Sequence, residues 1–99
     1  MRTALIVIAL ALATPASAFN GPIAKACFKS DRKAATRSAC RCAQKVANVK
    51  LSRSDQKLAA KFFKDPHMAQ EIRQSDRSSH ESFWLRYKEF GKTAAQYCS

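Results

Sequence analysis

The apolar and polar residues of this chain recur with helical spacing over most of its length. After residue 20 no segment alternates between apolar and polar residues in the way a half-buried strand would. Ala, Lys, Arg and Gln, which favour helices, are abundant. The pattern predicts an all-α protein, a small bundle of about four to five short helices. The predicted helices cover roughly 22–29, 37–49, 53–64, 66–72 and the stretch from the Ser78–Glu81 start to the C-terminal end.

Each predicted helix has one apolar side that should face the core. The last helix has the most regular one, an aromatic stripe that we expect to be the main core element. The residues predicted to face inward are Ile23, Ala26 and Cys27; Ala39, Ala43 and Val46; Leu58, Ala59, Phe62 and Phe63; Met68, Ala69 and Ile72; and Phe83, Tyr87, Phe90, Ala94 and Tyr97.

Several residues are typical of helix starts. Pro22 and Pro66 suit first helical positions, where a missing N–H leaves no partner unsatisfied. Ser52 and Asp65 are predicted to cap the third and fourth helices. The sequence Ser-Ser-His-Glu at 78–81 fits a capping box for the last helix.

The N-terminal residues have the pattern of a secretory signal. Arg2 precedes an apolar run at 4–13, which breaks at Pro15 and ends in Ala16-Ser17-Ala18, suitable for cleavage after Ala18. The run is too short for a membrane anchor, which needs ~20 apolar residues. We therefore expect a cleaved signal peptide at 1–18 and a single helical domain at 19–99, exported to the periplasm or secreted and without a transmembrane span.

Four cysteines, Cys27, Cys40, Cys42 and Cys98, lie in the predicted mature domain. An even cysteine count in a small exported domain predicts two disulfides. Residues two apart on a helix point about 200° from each other, so Cys40 and Cys42 should belong to separate bonds, at opposite edges of the apolar side of their helix. The pairing Cys27–Cys40 with Cys42–Cys98 is slightly preferred, because Cys27 and Cys40 flank one connection. The alternative is Cys27–Cys42 with Cys40–Cys98.

The residues outline no metal or cofactor site. His67 and His80 lie on different predicted elements, and no zinc-type spacing is present. We predict a protein that is not an enzyme and needs no cofactor. If it is an enzyme, the alternative is a thiol–disulfide oxidoreductase that uses Cys40 and Cys42, with neighbouring arginines favouring the thiolate.

The predicted mature domain is strongly basic. It has 17 Lys plus Arg against 7 Asp plus Glu, a net charge of +10. Such an excess attracts anionic partners. Export disfavours nucleic acid and favours a lipid headgroup, lipopolysaccharide or an acidic protein. The candidate contact residues are two one-sided basic stripes, Arg37, Arg41 and Lys45, and Lys57, Lys61 and Lys64.

The first functional hypothesis is therefore a non-enzymatic binding module that contacts an anionic partner through these stripes. An alternative of similar weight is that they are solvated faces that keep the protein soluble. A further alternative is a membrane-active cationic protein of the saposin-like or bacteriocin-like kind, favoured by positive charge, amphipathic helices and disulfides.

Several motifs spread over the mature domain resemble a known family. They are Gly21-Pro22-Ile23, Ala26-Cys27, the segment 29–35, the Cys-x-Cys of Cys40 and Cys42, the segment 60–66, the Phe-Trp-x-Arg-Tyr-x-x-Phe-Gly run at 83–91, and Tyr97-Cys98. The family consists of small exported bacterial proteins of unknown function, some of which are labelled "arginine transporter". The resemblance implies the same segment boundaries and one more alternative, an accessory to an amino-acid (arginine) transport system. It supplies no catalytic or ligand-binding residues.

Overall fold

The computed structural model describes residues 21–98, which form five helices and no strand. The all-α class predicted from the sequence is confirmed. The predicted signal peptide lies outside the described residues. The helices are α1 (Pro22–Lys29), α2 (Arg37–Lys50), α3 (Arg53–Lys64), α4 (Pro66–Arg73) and α5 (Ser78–Tyr97).

Local chemistry accounts for four of the helix starts. Pro22 and Pro66 are the first residues of α1 and α4, as predicted. Thr36 and Ser52 cap α2 and α3: each side-chain oxygen accepts a hydrogen bond, 3.1 Å long, from the backbone N–H three residues further on. The predicted cap at Ser52 is confirmed.

Two other predicted caps are wrong. Asp65 occupies the N-cap position of α4 but makes no capping hydrogen bond, and its ψ of 84° is far from the extended values at Thr36 and Ser52. Ser78 is itself the first residue of α5, so its hydroxyl stands too late in the chain to cap the helix. Ser75 takes over part of that role, since its Oγ accepts a hydrogen bond from the Arg77 N–H at 3.2 Å.

The core lies between the aromatic stripe of α5 and the apolar sides of the other helices. The ring of Phe62 on α3 meets Phe83 and Tyr87 edge to face, with centroids 6.0 and 5.2 Å away. This confirms the stripe as core, with one exception: Tyr97 is 75% exposed. The last turn of α5 is held to α2 through Cys98, and the Tyr97 ring beside that attachment faces solvent.

The buried face of α2 differs from the predicted one, whereas on α1 the predicted Ile23 and Cys27 are buried and only Ala26 is not. On α2 the buried residues each follow a predicted one by a single position, a rotation of about 100°. This face is fixed by the disulfide at Cys40 and by the hydrogen bonds of Gln44. The spacing of apolar residues predicts neither of these interactions. On α1, Ala24 is buried and Ala26 is half-buried. The buried residues of α2 are Cys40, Gln44 and Ala47, whereas Ala39, Ala43 and Val46 are half-buried.

Two disulfides connect α2 to both ends of the described chain. Cys27 on α1 is bonded to Cys40, and Cys42 is bonded to Cys98 after α5, each with a Cα–Cα distance of 5.5 Å. Cys40 and Cys42 thus belong to separate bonds, in the first of the two pairings derived from the sequence. Cys40 does not lie at an edge of the helix face, however, because it is completely buried.

A buried amide network joins α1, α2 and α3. Gln44 Nε2 donates to Gln56 Oε1 at 2.7 Å and to Asn48 Oδ1 at 2.9 Å. Gln56 Nε2 in turn donates to the backbone carbonyls of Ala47 and Leu51, at 3.3 and 3.2 Å. Because buried amides are stable only when they are hydrogen-bonded, the network fixes how these helices meet.

A bidentate ion pair joins α3 to α5. Arg86 donates from Nε and Nη2 to the two carboxylate oxygens of Asp55, at 2.6 and 3.1 Å. The Asp55 side chain is 11% exposed and that of Arg86 is 47% exposed. Hydrogen bonding to Asp55 raises the pKa of Arg86, against a smaller opposing effect of burial. The guanidinium is thus held in its charged form beside the carboxylate.

Candidate functional site: a basic cleft between α1 and α3

An open cleft separates α1 and the following loop from the C-terminal half of α3. Its volume is about 930 Å³, within the range of roughly 300–1,000 Å³ typical of small-molecule sites. We call it the α1–α3 cleft. It is lined by Pro22, Lys25, Ala26, Lys29, Ser30, Asp31, Arg32, Ala60, Lys61, Phe63, Lys64 and Pro66.

Five of these residues have side chains without polar atoms, and we call them the apolar lining: Pro22, Ala26, Ala60, Phe63 and Pro66. Ala24 and Ala59, which are fully or almost fully buried, allow α1 and α3 to pack closely. Ala26 and Ala60 are half-buried and carry only a methyl group. Small side chains on both helices therefore leave room for the cleft beside their packing interface.

Five cations line the same cleft. Lys25 and Lys29 are one turn apart on α1, Lys61 and Lys64 are one turn apart on α3, and Arg32 lies in the loop after α1. We call these the cleft cations; all five are exposed. The one ion pair found within residues 21–98 is that of Arg86 with Asp55, so no carboxylate of this part of the chain pairs with the four lysines.

Arg32 links the cations to the apolar lining. Its guanidinium carbon lies 5.2 Å from the centre of the Phe63 ring, a cation–π arrangement. The positive charge of Arg32 also acts on Tyr87, whose pKa is raised by burial and lowered to a smaller extent by this arginine. Arg32 thus places positive charge directly at the aromatic wall of the cleft.

The positive excess of the described residues lies in residues 21–64, which include α1, α2 and α3. Residues 21–64 contain twelve basic and two acidic side chains, whereas residues 65–98 contain five of each. One of the two acids in the first part, Asp55, is already paired with Arg86. The α1–α3 cleft therefore lies in the part of the molecule that carries the whole positive excess of the described residues.

The six basic residues singled out from the sequence do not form one site. Lys61 and Lys64 line the α1–α3 cleft, while Lys57, on the same helix, is exposed and outside it. The other three residues line a second hollow of about 450 Å³, together with Ser38 and Cys42. They are Arg37, Arg41 and Lys45.

Three cleft cations were missed by the sequence analysis: Lys25, Lys29 and Arg32. They follow one another at spacings of four and three residues, the spacing of one helical face. This spacing could have identified them as a third basic stripe from the sequence. Their meeting with Lys61 and Lys64 was not, because it depends on how α1 packs on α3.

Outside this cleft, residues 21–98 show no metal site, no pair of free thiols and no helix suited to span a membrane. Among residues 21–98, no three His, Cys, Asp or Glu side chains are grouped so as to hold a metal ion. Cys40 and Cys42 sit in different disulfides, so they do not form the dithiol pair that the oxidoreductase alternative requires. None of the five helices combines the length and apolar character needed to cross a membrane.

Comparison of the chain with protein-family models, with curated proteins and with solved structures gives no match.

Proposed function

We propose that this protein is a non-enzymatic, exported binding module, periplasmic or secreted, and that it binds an anionic partner in the α1–α3 cleft. One observation carries the proposal. Cations from two helices and a loop line a common apolar cleft, and the lysines among them have no carboxylate partner within residues 21–98. An anion bound there would supply that missing partner.

A comparison with α5 supports a binding role over simple solvation. On the exposed side of α5 the charges alternate in sign, with Glu89 between Lys88 and Lys92. Around the cleft the charges are of one sign, except for Asp31. Like charges that converge repel one another, so the arrangement is favoured when a ligand of opposite charge is bound.

The disulfides support the exported location. Two disulfides in a domain of this size are typical of proteins that fold in oxidising compartments such as the periplasm or the cell exterior. The membrane-active alternative receives less support, because the large exposed apolar side chains of residues 21–98 are divided among three helices and no single helix presents a continuous exposed apolar side. They are Phe28 on α1, Val49 on α2, and Leu85 and Tyr97 on α5.

Charge reversal tests the cleft against a matched control. The variant Lys25→Glu with Lys61→Glu changes two cleft cations on opposite walls. The control, Lys57→Glu with Lys88→Glu, makes the same change in net charge at exposed helical positions outside the cleft. Binding is measured by co-sedimentation with vesicles rich in phosphatidylglycerol, with lipopolysaccharide, and with an acidic periplasmic protein fraction.

We expect the cleft variant to bind its anionic partner about tenfold more weakly, and the control variant to lose much less. Equal losses in the two variants would contradict the proposal, because they would show that binding depends on overall charge and not on the cleft.

A further inference from the structure

We infer that the ligand of the α1–α3 cleft is a single-chain anionic amphiphile, with its phosphate head at the cleft cations and its acyl chain on the apolar lining. The inference rests on the proposed function and specifies its ligand. It follows from the combination of charge and apolar surface in one cleft of limited volume.

The apolar lining favours an amphiphilic anion over a wholly polar one. Its five side chains offer no hydrogen-bond donor or acceptor, and the hydroxyl of Ser30 already donates to the Cys27 carbonyl at 2.8 Å. Hydroxyl groups of a sugar phosphate that lie on this lining would lose water and find no replacement there. A methylene chain has no such groups, and it gains free energy when it covers Ala26, Ala60 and Phe63.

The cleft cations suit a phosphate head. Four of the five are lysines, whose ammonium groups attract an anion without demanding a fixed two-point geometry. They stand on both walls, at Lys25 and Lys29 on α1 and at Lys61 and Lys64 on α3. A phosphate between the walls would meet positive charge from two directions, and the exposed lysine side chains can follow it as it moves.

The same features disfavour a peptide and a bilayer surface. An extended peptide brings backbone N–H and C=O groups that need partners, and the apolar lining provides none. A bilayer would require a broad apolar face, whereas the apolar lining lies within a cleft of about 930 Å³. A single lipid-like molecule satisfies both the charge and the apolar surface of a site of this size.

The test compares three probes on the protein expressed from its full coding sequence, with both disulfides oxidised. The probes are a lysophosphatidylglycerol below its critical micelle concentration, the lysophosphatidylcholine with the same chain, and glycerol 3-phosphate. We expect calorimetric titration to show that the first binds about tenfold or more tightly than either of the others. Isotope-filtered NMR should show contacts between acyl-chain protons and the methyl groups of Ala26 and Ala60.

A variant of the apolar lining locates the chain independently. Ala26→Gln should weaken lysophosphatidylglycerol binding about tenfold, because it places a polar side chain where the acyl chain would lie. Glycerol 3-phosphate has no acyl chain, so its binding should not change. Ala34→Gln, in the exposed loop after α1, is the matched control and should change neither. Should Ala26→Gln fail to fold, Lys25→Gln with Lys61→Gln replaces it, with the expectation that the preference for lysophosphatidylglycerol over lysophosphatidylcholine is lost.

The other outcomes separate this inference from the proposed function. Equal binding of glycerol 3-phosphate would overturn the amphiphile but keep an anion site. Equal binding of lysophosphatidylcholine would overturn both. If an acidic, leucine-containing peptide binds more tightly than lysophosphatidylglycerol, the ligand is a peptide and the amphiphile is wrong. The proposed anion site would still stand. If no lysophosphatidylglycerol binds, the amphiphile is wrong, and the charge-reversal experiment decides the proposed function by itself.

Discussion

The side chain of Gln44 closes the first turn of α1, because its Oε1 accepts a hydrogen bond from the backbone N–H of Ala24 at 2.9 Å. This N–H is one of those that a helix start leaves without a partner. Gly21, the N-cap residue of α1, makes no side-chain capping bond, so a residue twenty positions away takes over that role. The start of α1, and with it one wall of the cleft, is thus positioned by α2.

The first prediction concerns Gly21, which packs directly on the Gln44 amide. A Cβ at position 21 would lie 2.2 Å from Gln44 Cδ, and that side chain is buried and held by hydrogen bonds to two helices. We therefore expect Gly21→Ala to lower the free energy of unfolding by about 1–3 kcal/mol, measured by urea denaturation.

Gly91 provides the control for this substitution. It lies within α5, and an added Cβ would meet nothing within 4 Å. Gly91→Ala should stabilise the protein by about 0.5–1 kcal/mol, since alanine is the better helix former. A Gly21→Ala variant that unfolds at the wild-type urea concentration would show that the Gln44 amide is free to move.

The second prediction concerns the ion pair between Asp55 and Arg86. A double-mutant cycle with Asp55→Ala and Arg86→Ala should give a coupling energy of about 1 kcal/mol. The bidentate geometry and the burial of Asp55 raise this value above that of an ordinary surface pair, while the half-exposed Arg86 keeps it well below that of a fully buried one. Additive effects of the two substitutions would contradict the prediction.

The third prediction compares the two disulfides. The bond Cys42–Cys98 spans 56 residues and Cys27–Cys40 spans 13, for which chain-entropy models give about 4 and about 3 kcal/mol. Replacing Cys42 and Cys98 by alanine should lower the melting temperature far more than any single surface substitution. Thermal unfolding followed by circular dichroism measures this, with Lys57→Ala as the surface control.

Peptide mapping without reduction checks the pairing itself. A fragment that joins Cys40 to Cys42, or free thiols at both positions, would contradict the structure and revive a redox role for this pair.

The fourth prediction is a loss of stability at alkaline pH that originates at Tyr87. Burial raises the pKa of Tyr87 above its ordinary value of 10.0, an effect that Arg32 partly opposes. In alkali the unfolded chain therefore loses the Tyr87 proton before the folded protein does, and unfolding releases a proton. The stabilising contribution is complete below pH 10.0 and is lost as the pH rises through the folded-state pKa.

Urea denaturation between about pH 9 and about pH 11 tests this sign. Tyr87→Phe should show a shallower fall in unfolding free energy than the wild type over this range. Tyr97→Phe, at the 75% exposed tyrosine, should follow the wild-type curve. If the unfolding free energy of Tyr87→Phe falls with pH as steeply as that of the wild type, the loss of stability in alkali originates at other groups.

Local patterns in the sequence determined the helices and placed Cys40 and Cys42 in separate disulfides, while the choice between the two remaining pairings came from the structure. The spacing of Phe83, Tyr87 and Phe90 marks a helix with one apolar side whatever its neighbours are, and Pro22 favours a helix start by its own geometry. The nearly opposite directions of Cys40 and Cys42 are likewise a property of one helix. Such features depend on contacts within a few residues, which is why they were predicted correctly.

The tertiary structure decided which side of α2 is buried and where the binding cleft lies. Gln44 is polar, yet it is completely buried because Ala24, Asn48 and Gln56 supply its hydrogen bonds from neighbouring turns and helices. Lys25 and Lys61 are far apart in sequence, and the packing of α1 on α3 brings both to one cleft. Burial of a polar group and convergence of charges depend on partners that are distant in the chain, so the pattern of a single helix does not contain them.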